Sequence, residues 1–198
     1  LNSCSSLSNN KAIVVVNPSP SVLFTINQDS ICDGDTIIGT GAGALDYQFL
    51  LDGTPLNTFS NNNTFSFANL VDGQTLSIKG KTNGCTSNGD TAYNIGVNPI
   101  PSVSLTTSDI DQIICEGDSV SFNASGAINY TFFINDSILA TANTTGIYST
   151  DSLVNNQEVH VIGENSGCSA KSSQSYTFTV NTAPTVTIST TDADTTIC

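Results

Sequence analysis

The sequence repeats itself with a period of about 83 residues, and this periodicity constrains the fold more than any other feature. The segment Cys32-Asp33-Gly34-Asp35-Thr36-Ile37 recurs as Cys115-Glu116-Gly117-Asp118-Ser119-Val120. Cys198 stands one full period after Cys115, Cys85 and Cys168 have the same separation, and Cys4 precedes Cys85 by nearly as much. The chain is therefore interpreted as a segment of a tandem array of small domains.

The period divides the 198 residues into two complete repeats with a partial repeat on each side. We expect residues 1–17 to be the C-terminal strands of a preceding repeat, with residues 12–16 as its closing strand. Residues 18–98 and 99–181 are the full repeats, and residues 182–198 supply the first strand of a following one. Proline restricts φ and lacks an amide donor, so it suits the stiff linkers at Pro18, Pro20, Pro99, Pro101 and Pro184.

Short strands separated by turns account for the pattern inside each repeat. Residues 47–51 alternate between apolar and polar side chains and end at Asp52-Gly53, a strong hairpin signal. No segment has the apolar period of a helix. Seven short strands in about 80 residues are typical of an immunoglobulin-like layout. The predicted fold class is all-β: tandem antiparallel β-sandwich repeats of about 83 residues, with strands A-B-E against C-F-G and a short extra edge strand.

Charge and cysteine content exclude several classes of function. Four lysines, no arginine and 17 acidic residues give a net charge of −13, which argues against nucleic acid and against anionic membrane surfaces. No run of 18 apolar residues is present, so no membrane insertion is expected in this segment. Cysteines in phase with the repeat favour disulfides in an oxidising, extracellular compartment. Zinc is disfavoured because the sequence has no C-x-x-C pair and a single histidine, His160.

Catalytic motifs are absent, so the chain is predicted not to be an enzyme and to need no cofactor. It contains no Gly-x-Ser-x-Gly elbow, phosphate-binding loop or H-E-x-x-H segment. His160 falls at a polar position of an alternating strand, where Ser77 stands in the first repeat. We therefore interpret His160 as a solvated strand residue and name no catalytic residue.

Acidic residues in the turns are weak candidates for a calcium site, because oxygen-rich clusters suit a hard cation. The competing interpretation is that Asp and Gly form tight turns and that acidity keeps a secreted rod soluble. We favour the turn interpretation, since no D-x-D-x-D-G loop completes a site. The candidates are Asp33, Asp35, Asp109, Asp111, Glu116 and Asp118.

The phased motifs resemble those of a known family of repeats. They are the cysteine motif, residues 47–51 and their equivalent at 130–134, the Asn83-Gly84-Cys85 turn and the Val-Asn-Pro joint. Together they resemble the Ig-like and PKD-like repeats of giant Bacteroidota cell-surface proteins, which the type IX system exports and which include gliding-motility adhesins. The resemblance covers essentially the whole chain. It implies an extracellular filament that contacts surfaces, polysaccharide or other cells, and it carries over no binding residue.

Asp followed by Ser or Thr and then an aliphatic residue or Thr occurs seven times in the chain. This triplet resembles the O-glycosylation sequon of exported Bacteroidota proteins. It is equally explained as an acidic turn residue that precedes a strand, and both interpretations can hold together. The candidate acceptors are Ser30, Thr36, Thr91, Ser119, Ser137, Ser152 and Thr195.

The cysteine positions lead to a prediction about disulfide pairing. The A–B turn, with Cys32, and the F–G turn, with Cys85, should lie at opposite ends of a repeat, about 30 Å apart, whereas bridged Cα atoms lie within about 7 Å. In a head-to-tail array, Cys32 should therefore pair with Cys168 across the Pro99/Pro101 joint. Cys4, Cys85, Cys115 and Cys198 would then pair with neighbouring repeats. The alternative is pairing within each repeat, Cys32 with Cys85 and Cys115 with Cys168.

The function predicted from the sequence is a non-enzymatic stalk or adhesive filament segment of a large secreted bacterial cell-surface protein, in surface adhesion or gliding motility. Its partners would be neighbouring repeats of the same chain and surface polysaccharide or other cells. The alternative is a carbohydrate-binding accessory module of a secreted hydrolase. That alternative needs exposed aromatic side chains, but the chain has no Trp, and most Tyr and Phe fall at alternating core positions.

Overall fold

Strands, turns and bends make up the structure, a computed structural model that describes residues 14–189 and only the backbone of residues 140–142. None of the described residues is helical, and the predicted all-β fold class is confirmed. The chain divides into two units between Asn98 and Pro99, called here the first and the second repeat.

Ten strand segments form the first repeat, and several are short pieces of one longer strand. They are β1 (Leu23–Ile26), β2 (Ser30–Cys32), β3 (Ile37–Ala42), β4 (Asp46–Leu51), β5 (Thr54–Pro55), β6 (Thr64–Phe67), β7 (Thr75–Thr82), β8 (Cys85–Asn88), β9 (Tyr93–Asn94) and β10 (Gly96–Asn98).

Two antiparallel layers face each other in the first repeat. One layer has the order β1-β3-β6, and the other has the order β5-β4-β7-β8, with β9 also on β7. These are the predicted A-B-E and C-F-G layers with a short edge strand. Strand β7 is central in its layer, since β4 pairs along one side and β8 along the other. The predicted closing strand is split: β9 joins this layer, whereas β10 pairs in parallel with β2.

The second repeat has the same arrangement. Its strands are β11 (Ser104–Thr107), β12 (Ile113–Cys115), β13 (Val120–Ser125), β14 (Asn129–Ile134), β15 (Ser137–Asn143), β16 (Ile147–Thr150), β17 (Glu158–Asn165), β18 (Cys168–Lys171), β19 (Tyr176–Thr177) and β20 (Thr179–Asn181). The layers are β11-β13-β16 and β15-β14-β17-β18, with β19 on β17, and β12 pairs in parallel with β20. The main difference is β15, which is seven residues long where β5 has two.

Apolar side chains from both layers fill the space between them in each repeat. In the first repeat the fully buried residues include Phe24, Phe49, Phe67, Leu76 and Ile78. In the second they include Leu105, Phe122, Phe132, Val161 and Phe178. These residues fall on alternate positions of their strands, so the period-two pattern of the sequence becomes the inner face of each sheet.

Tyr47 and Tyr130 anchor the turn that leads into β4 and β14. The Tyr47 hydroxyl donates to the carbonyl of Ala44 at 2.8 Å and accepts from its N–H at 3.0 Å. Tyr130 makes the same pair of bonds with Ala127, at 2.6 and 2.9 Å. A buried phenol needs such partners, and these bonds fix the corner between the layers identically in both repeats.

The assignment of residues 1–17 and 182–198 to neighbouring repeats stays a prediction, and the described residues of these segments are not in strands. Residues 14–16 were expected to belong to a closing strand, but they are not in a strand, and Val14, Val15 and Val16 are exposed. A closing strand needs a parallel partner, as β10 has in β2. The given sequence holds no counterpart of β2 for residues 14–16. Residues 182–189 are likewise outside any strand. Residues 1–13 and 190–198 of the predicted flanking segments lie outside the described residues.

No helix within residues 14–189 has the length and apolarity needed to cross a lipid bilayer.

Candidate functional site

The repeated Cys-Asp/Glu-Gly-Asp motif forms a tight turn that its last carboxylate closes. The Cys32 N–H donates to Asp35 Oδ2 at 3.2 Å, and the Asp35 N–H donates back to the Cys32 carbonyl at 3.0 Å. Cys115 and Asp118 make the same two bonds at 2.9 and 3.0 Å. Gly34 and Gly117 both have φ near +88°, a conformation that favours glycine. The motif is therefore a backbone turn in both repeats.

The remaining calcium candidates are also engaged in local backbone geometry. Asp109 Oδ1 accepts from the N–H of Gln112 at 2.7 Å, and Asp111 Oδ1 accepts from that of Ile113 at 3.2 Å. They lie in the link between β11 and β12, which is two residues longer than the link between β1 and β2. Asp33 and Glu116 are exposed. Within residues 14–189, no three His, Cys, Asp or Glu side chains group as metal ligands.

Among the described residues, each pair of cysteines one period apart contains one disulfide-bonded member and one free thiol. Cys32 and Cys168 are disulfide-bonded, whereas Cys85 and Cys115 are free. The alternative pairing within each repeat is therefore absent from this structure, since it would consume Cys85 and Cys115. Cys4 and Cys198 lie outside the described residues, and the predicted partners of all six cysteines stay predictions.

Cys32 and Cys168 occupy opposite ends of their respective repeats. Cys32 ends β2 and is in register with Asn98, the last residue of the first repeat. Cys168 begins β18 and is in register with Asn165, whose side chain accepts from the N–H of Ile128 at 2.6 Å. The turn before Ile128 packs against the start of the second repeat, because a Cβ on Gly126 would collide with the Ser102 carbonyl. Each cysteine thus lies at the end of its repeat nearest to the joint at Pro99.

The candidate glycosylation hydroxyls are accessible wherever the structure describes them. Ser30, Thr36, Thr91, Ser119, Ser137 and Ser152 are all exposed, and Thr195 lies outside the described residues. Three of the aspartates that precede them serve the fold: Asp35 and Asp118 close turns, and Asp90 accepts a backbone bond from Phe24 at 3.0 Å. Access and a structural role for the aspartate therefore coexist.

His160 is buried, so its interpretation as a solvated residue is wrong. It is 4% exposed, and its ring stacks on Phe133 with centroids 5.0 Å apart and planes 4° from parallel. Asp136 Oδ1 lies 3.8 Å from Nε2. Burial and the charge of Lys171 lower the pKa of His160, although the nearby Asp136 and Glu158 oppose the shift. The alternation of polar and apolar residues correctly predicted that His160 points to the outer face of the sheet. The aromatic ring of Phe133 on β14 covers that face.

The equivalent face of the first repeat has a half-open groove of about 500 Å³. Leu50 and Ser77, which occupy the positions of Phe133 and His160, are among its lining residues. Lys79, Asn88 and Thr91 are also among the lining residues, and none of the lining residues is aromatic. The groove therefore lacks the stacking platform that the carbohydrate-binding alternative requires.

Hydrogen bonds that connect the first and last segments of each repeat were missed from the sequence. The Tyr93 hydroxyl donates to the Phe24 carbonyl at 3.2 Å, and the Tyr176 hydroxyl donates to that of Leu105 at 3.1 Å. In the first repeat the Asp90 carboxylate also accepts a bond from the Phe24 N–H. Of the positions compared here, only the first repeat has this additional bond. The signal available in the sequence was the repetition of tyrosine at positions 93 and 176.

Comparison with known proteins supports the fold. No protein-family model matches the chain, and neither does any curated protein. Among solved structures, the chain is similar to fibronectin(III)-like modules of Clostridium thermocellum CbhA, with a TM-score of 0.53 and 12% identity over 81% of this chain and 95% of that one. Murine CEACAM1b has a TM-score of 0.44 and 11% identity, over 81% of this chain and 100% of its own. The first likeness shows an Ig/fibronectin-III-like fold, and identity this low shows the fold alone.

Proposed function

We propose that this chain is a stalk or adhesive filament segment of a large secreted cell-surface protein. The observation that carries the proposal is where each repeat begins and ends. The first repeat starts beside the β3–β4 turn, where Gly43 packs on the Ser21 carbonyl, and it ends at Asn98 beside the β2–β3 turn. These turns lie at opposite ends of the sandwich, so the repeat begins at one end and finishes at the other, as the unit of a filament requires.

A non-enzymatic role accords with how the polar groups of the described residues are used. The carboxylates of Asp35 and Asp118 are occupied as turn acceptors, and His160 is stacked on Phe133. Neither arrangement leaves a nucleophile paired with a base. An Ig/fibronectin-III-like fold is compatible with a structural or adhesive module.

An extracellular location accords with the disulfide-bonded Cys32 and Cys168, because such bonds persist in oxidising compartments. The resemblance of the phased motifs to Bacteroidota surface repeats favours type IX export and a role in adhesion or gliding motility. Under this proposal, neighbouring repeats are the direct partners, and surface polysaccharide or other cells are contacted by the assembled filament.

The proposal includes a disulfide between Cys32 and Cys168 that reinforces the joint at Pro99. Both cysteines are disulfide-bonded and lie at the joint-facing ends of their repeats. By the same rule, the free thiols Cys85 and Cys115 would pair with repeats outside this sequence. Peptide mapping without reduction should recover a Cys32–Cys168 peptide from the 198-residue chain. A Cys32–Cys85 peptide would refute the bridge.

The exposed triplet hydroxyls are proposed as sugar acceptors on the native protein. Sugars there would cover strand edges that otherwise invite pairing between filaments. Intact mass of this segment from its native host should exceed 20.6 kDa by whole glycans, and unmodified peptides at all seven hydroxyls would end this part of the proposal.

The function is tested in the native host by varying the number of repeats in the gene. The length of the surface filament in electron micrographs should change in proportion to the repeat number, and adhesion should weaken as the filament shortens. A filament length that ignores repeat number would contradict a stalk. Specific glycan-array binding by the present chain, lost on substituting Lys79 in the groove, would instead favour the carbohydrate-binding module.

A further inference from the structure

We propose that the first repeat resists tension longer than the second, because two of its side chains add hydrogen bonds between its first and last strand segments. This inference deepens the proposed filament function and rests on it. The end segments receive the force when a tandem chain is pulled, so their pairing decides how a repeat yields.

The end segments of the first repeat pair in parallel at two places. Val22 forms a parallel bridge with Gly89, and β2 pairs in parallel with β10 as far as Cys32 and Asn98. Tension pulls the two segments in opposite directions along their axes. The hydrogen bonds between them are therefore loaded together and are not opened one after another. The parallel pair of β12 and β20 gives the second repeat the same geometry.

Four hydrogen bonds between the end segments recur at equivalent positions in the two repeats. In the first repeat they join Asp90 N–H to Val22 O, Tyr93 Oη–H to Phe24 O, Gly96 N–H to Asp29 O, and Asp33 N–H to Asn98 O. In the second they join Ser173 N–H to Val103 O, Tyr176 Oη–H to Leu105 O, Thr179 N–H to Gln112 O, and Glu116 N–H to Asn181 O. This shared set is the common shear-resisting connection.

Two side chains add bonds to this connection in the first repeat. Asp90 Oδ1 accepts from the Phe24 N–H at 3.0 Å, a charge-assisted bond. Asn98 Nδ2 donates to the Ser30 hydroxyl at 3.1 Å.

The second repeat has different chemistry at the equivalent positions. Ser173 stands where the first repeat has Asp90, and its hydroxyl donates to Gln174 Oε1 at 2.7 Å. Ile113 replaces Ser30 and has no side-chain acceptor. The first repeat should therefore survive longer under the same load.

The test stretches the 198-residue chain by its two ends at constant force in reducing buffer, so that no disulfide carries the load. Two unfolding events are expected, one for each repeat. Asp90→Ala should shorten the lifetime of the longer-lived repeat about fivefold, as the loss of one hydrogen bond implies, and should leave the other lifetime unchanged. Ser173→Asp should lengthen the lifetime of the shorter-lived repeat.

Gln74→Ala is the matched control. Its side-chain oxygen also accepts from a backbone N–H, that of Val71 at 2.9 Å, but within the turn before β7 and not between the end segments. We expect this variant to change each lifetime under load by less than about twofold, because shear does not stretch that bond. Equal effects of Asp90→Ala and Gln74→Ala, or no effect of Asp90→Ala, would overturn the shear proposal. Either result leaves the filament proposal to its own test, in which length follows repeat number.

Discussion

The two repeats close the same edge of their sheets in different ways. In the second repeat β15 pairs along β14, and Ala140 is in register with Phe132. In the first repeat β5 is two residues long, and an irregular segment follows it along β4. There the Asn57 side chain takes the place of a strand, since its Oδ1 accepts from the Phe49 N–H at 2.7 Å. A single amide side chain thus stands where a paired strand stands in the other repeat.

This difference separates a shared frame from a variable outer face. Turns, inner faces and end segments recur with the period of the sequence, whereas the outer face of the β4 and β14 layer holds a groove in one repeat and a ring stack in the other. Equivalent substitutions in the shared frame should therefore have similar effects in the two repeats. A substitution on the outer face should have an effect in one repeat that the equivalent substitution does not have in the other.

The largest expected effect comes from the frame. Phe49 and Phe132 are equivalent and fully buried, so Phe49→Ala and Phe132→Ala should each lower the unfolding free energy of their own repeat by about 3–5 kcal/mol. Urea unfolding followed by hydrogen exchange assigns the loss to one repeat. Costs that differ by more than about 2 kcal/mol between the two variants would contradict a common frame.

An intermediate effect is expected at the edge where the repeats differ. Asn57→Ala removes the acceptor of the Phe49 N–H and should cost the first repeat about 1–3 kcal/mol, the usual cost of an unsatisfied buried donor. Ala140 already stands at the equivalent position, in a strand that is in register with Phe132. Faster exchange of the Phe49 amide in the variant is the direct measurement, and unchanged exchange would show that another group satisfies it.

The smallest effect expected is a pH dependence of the second repeat alone. The pKa of His160 is lowered in the folded state from its ordinary value of 6.5 by burial and by Lys171, against Asp136 and Glu158. Below about pH 6.5 the unfolded chain binds a proton that the folded repeat does not, so stability falls as pH decreases toward the folded pKa. His160→Phe should remove this dependence. If the stability of the His160→Phe variant still falls with decreasing pH, the pH dependence is due to the carboxylates.

Much of the frame was predictable from the sequence, because it depends on local patterns. Alternation identified the inner faces, and Asp-Gly and the cysteine motif identified turns that the structure confirms at Asp35 and Asp118. The same logic misplaced His160, because its burial depends on Phe133 in another strand, which alternation along β17 does not report. The role of Asp90 was missed for the same reason: its partner Phe24 is far away in the sequence, at the other end of the repeat.

The central position of β7 also determines how accessible the first repeat is to proteases that cut after basic residues. The chain has four lysines and no arginine, and Lys79 and Lys81 both lie in β7, paired on either side by β4 and β8. Proteases cut preferentially at exposed loop tips, and these two peptide bonds are in the middle of a sheet. Trypsin can cut there only after the repeat opens, so the cleavage rate reports the open population. A repeat built on this plan keeps the peptide bonds after Lys79 and Lys81 out of reach of trypsin for as long as it stays folded.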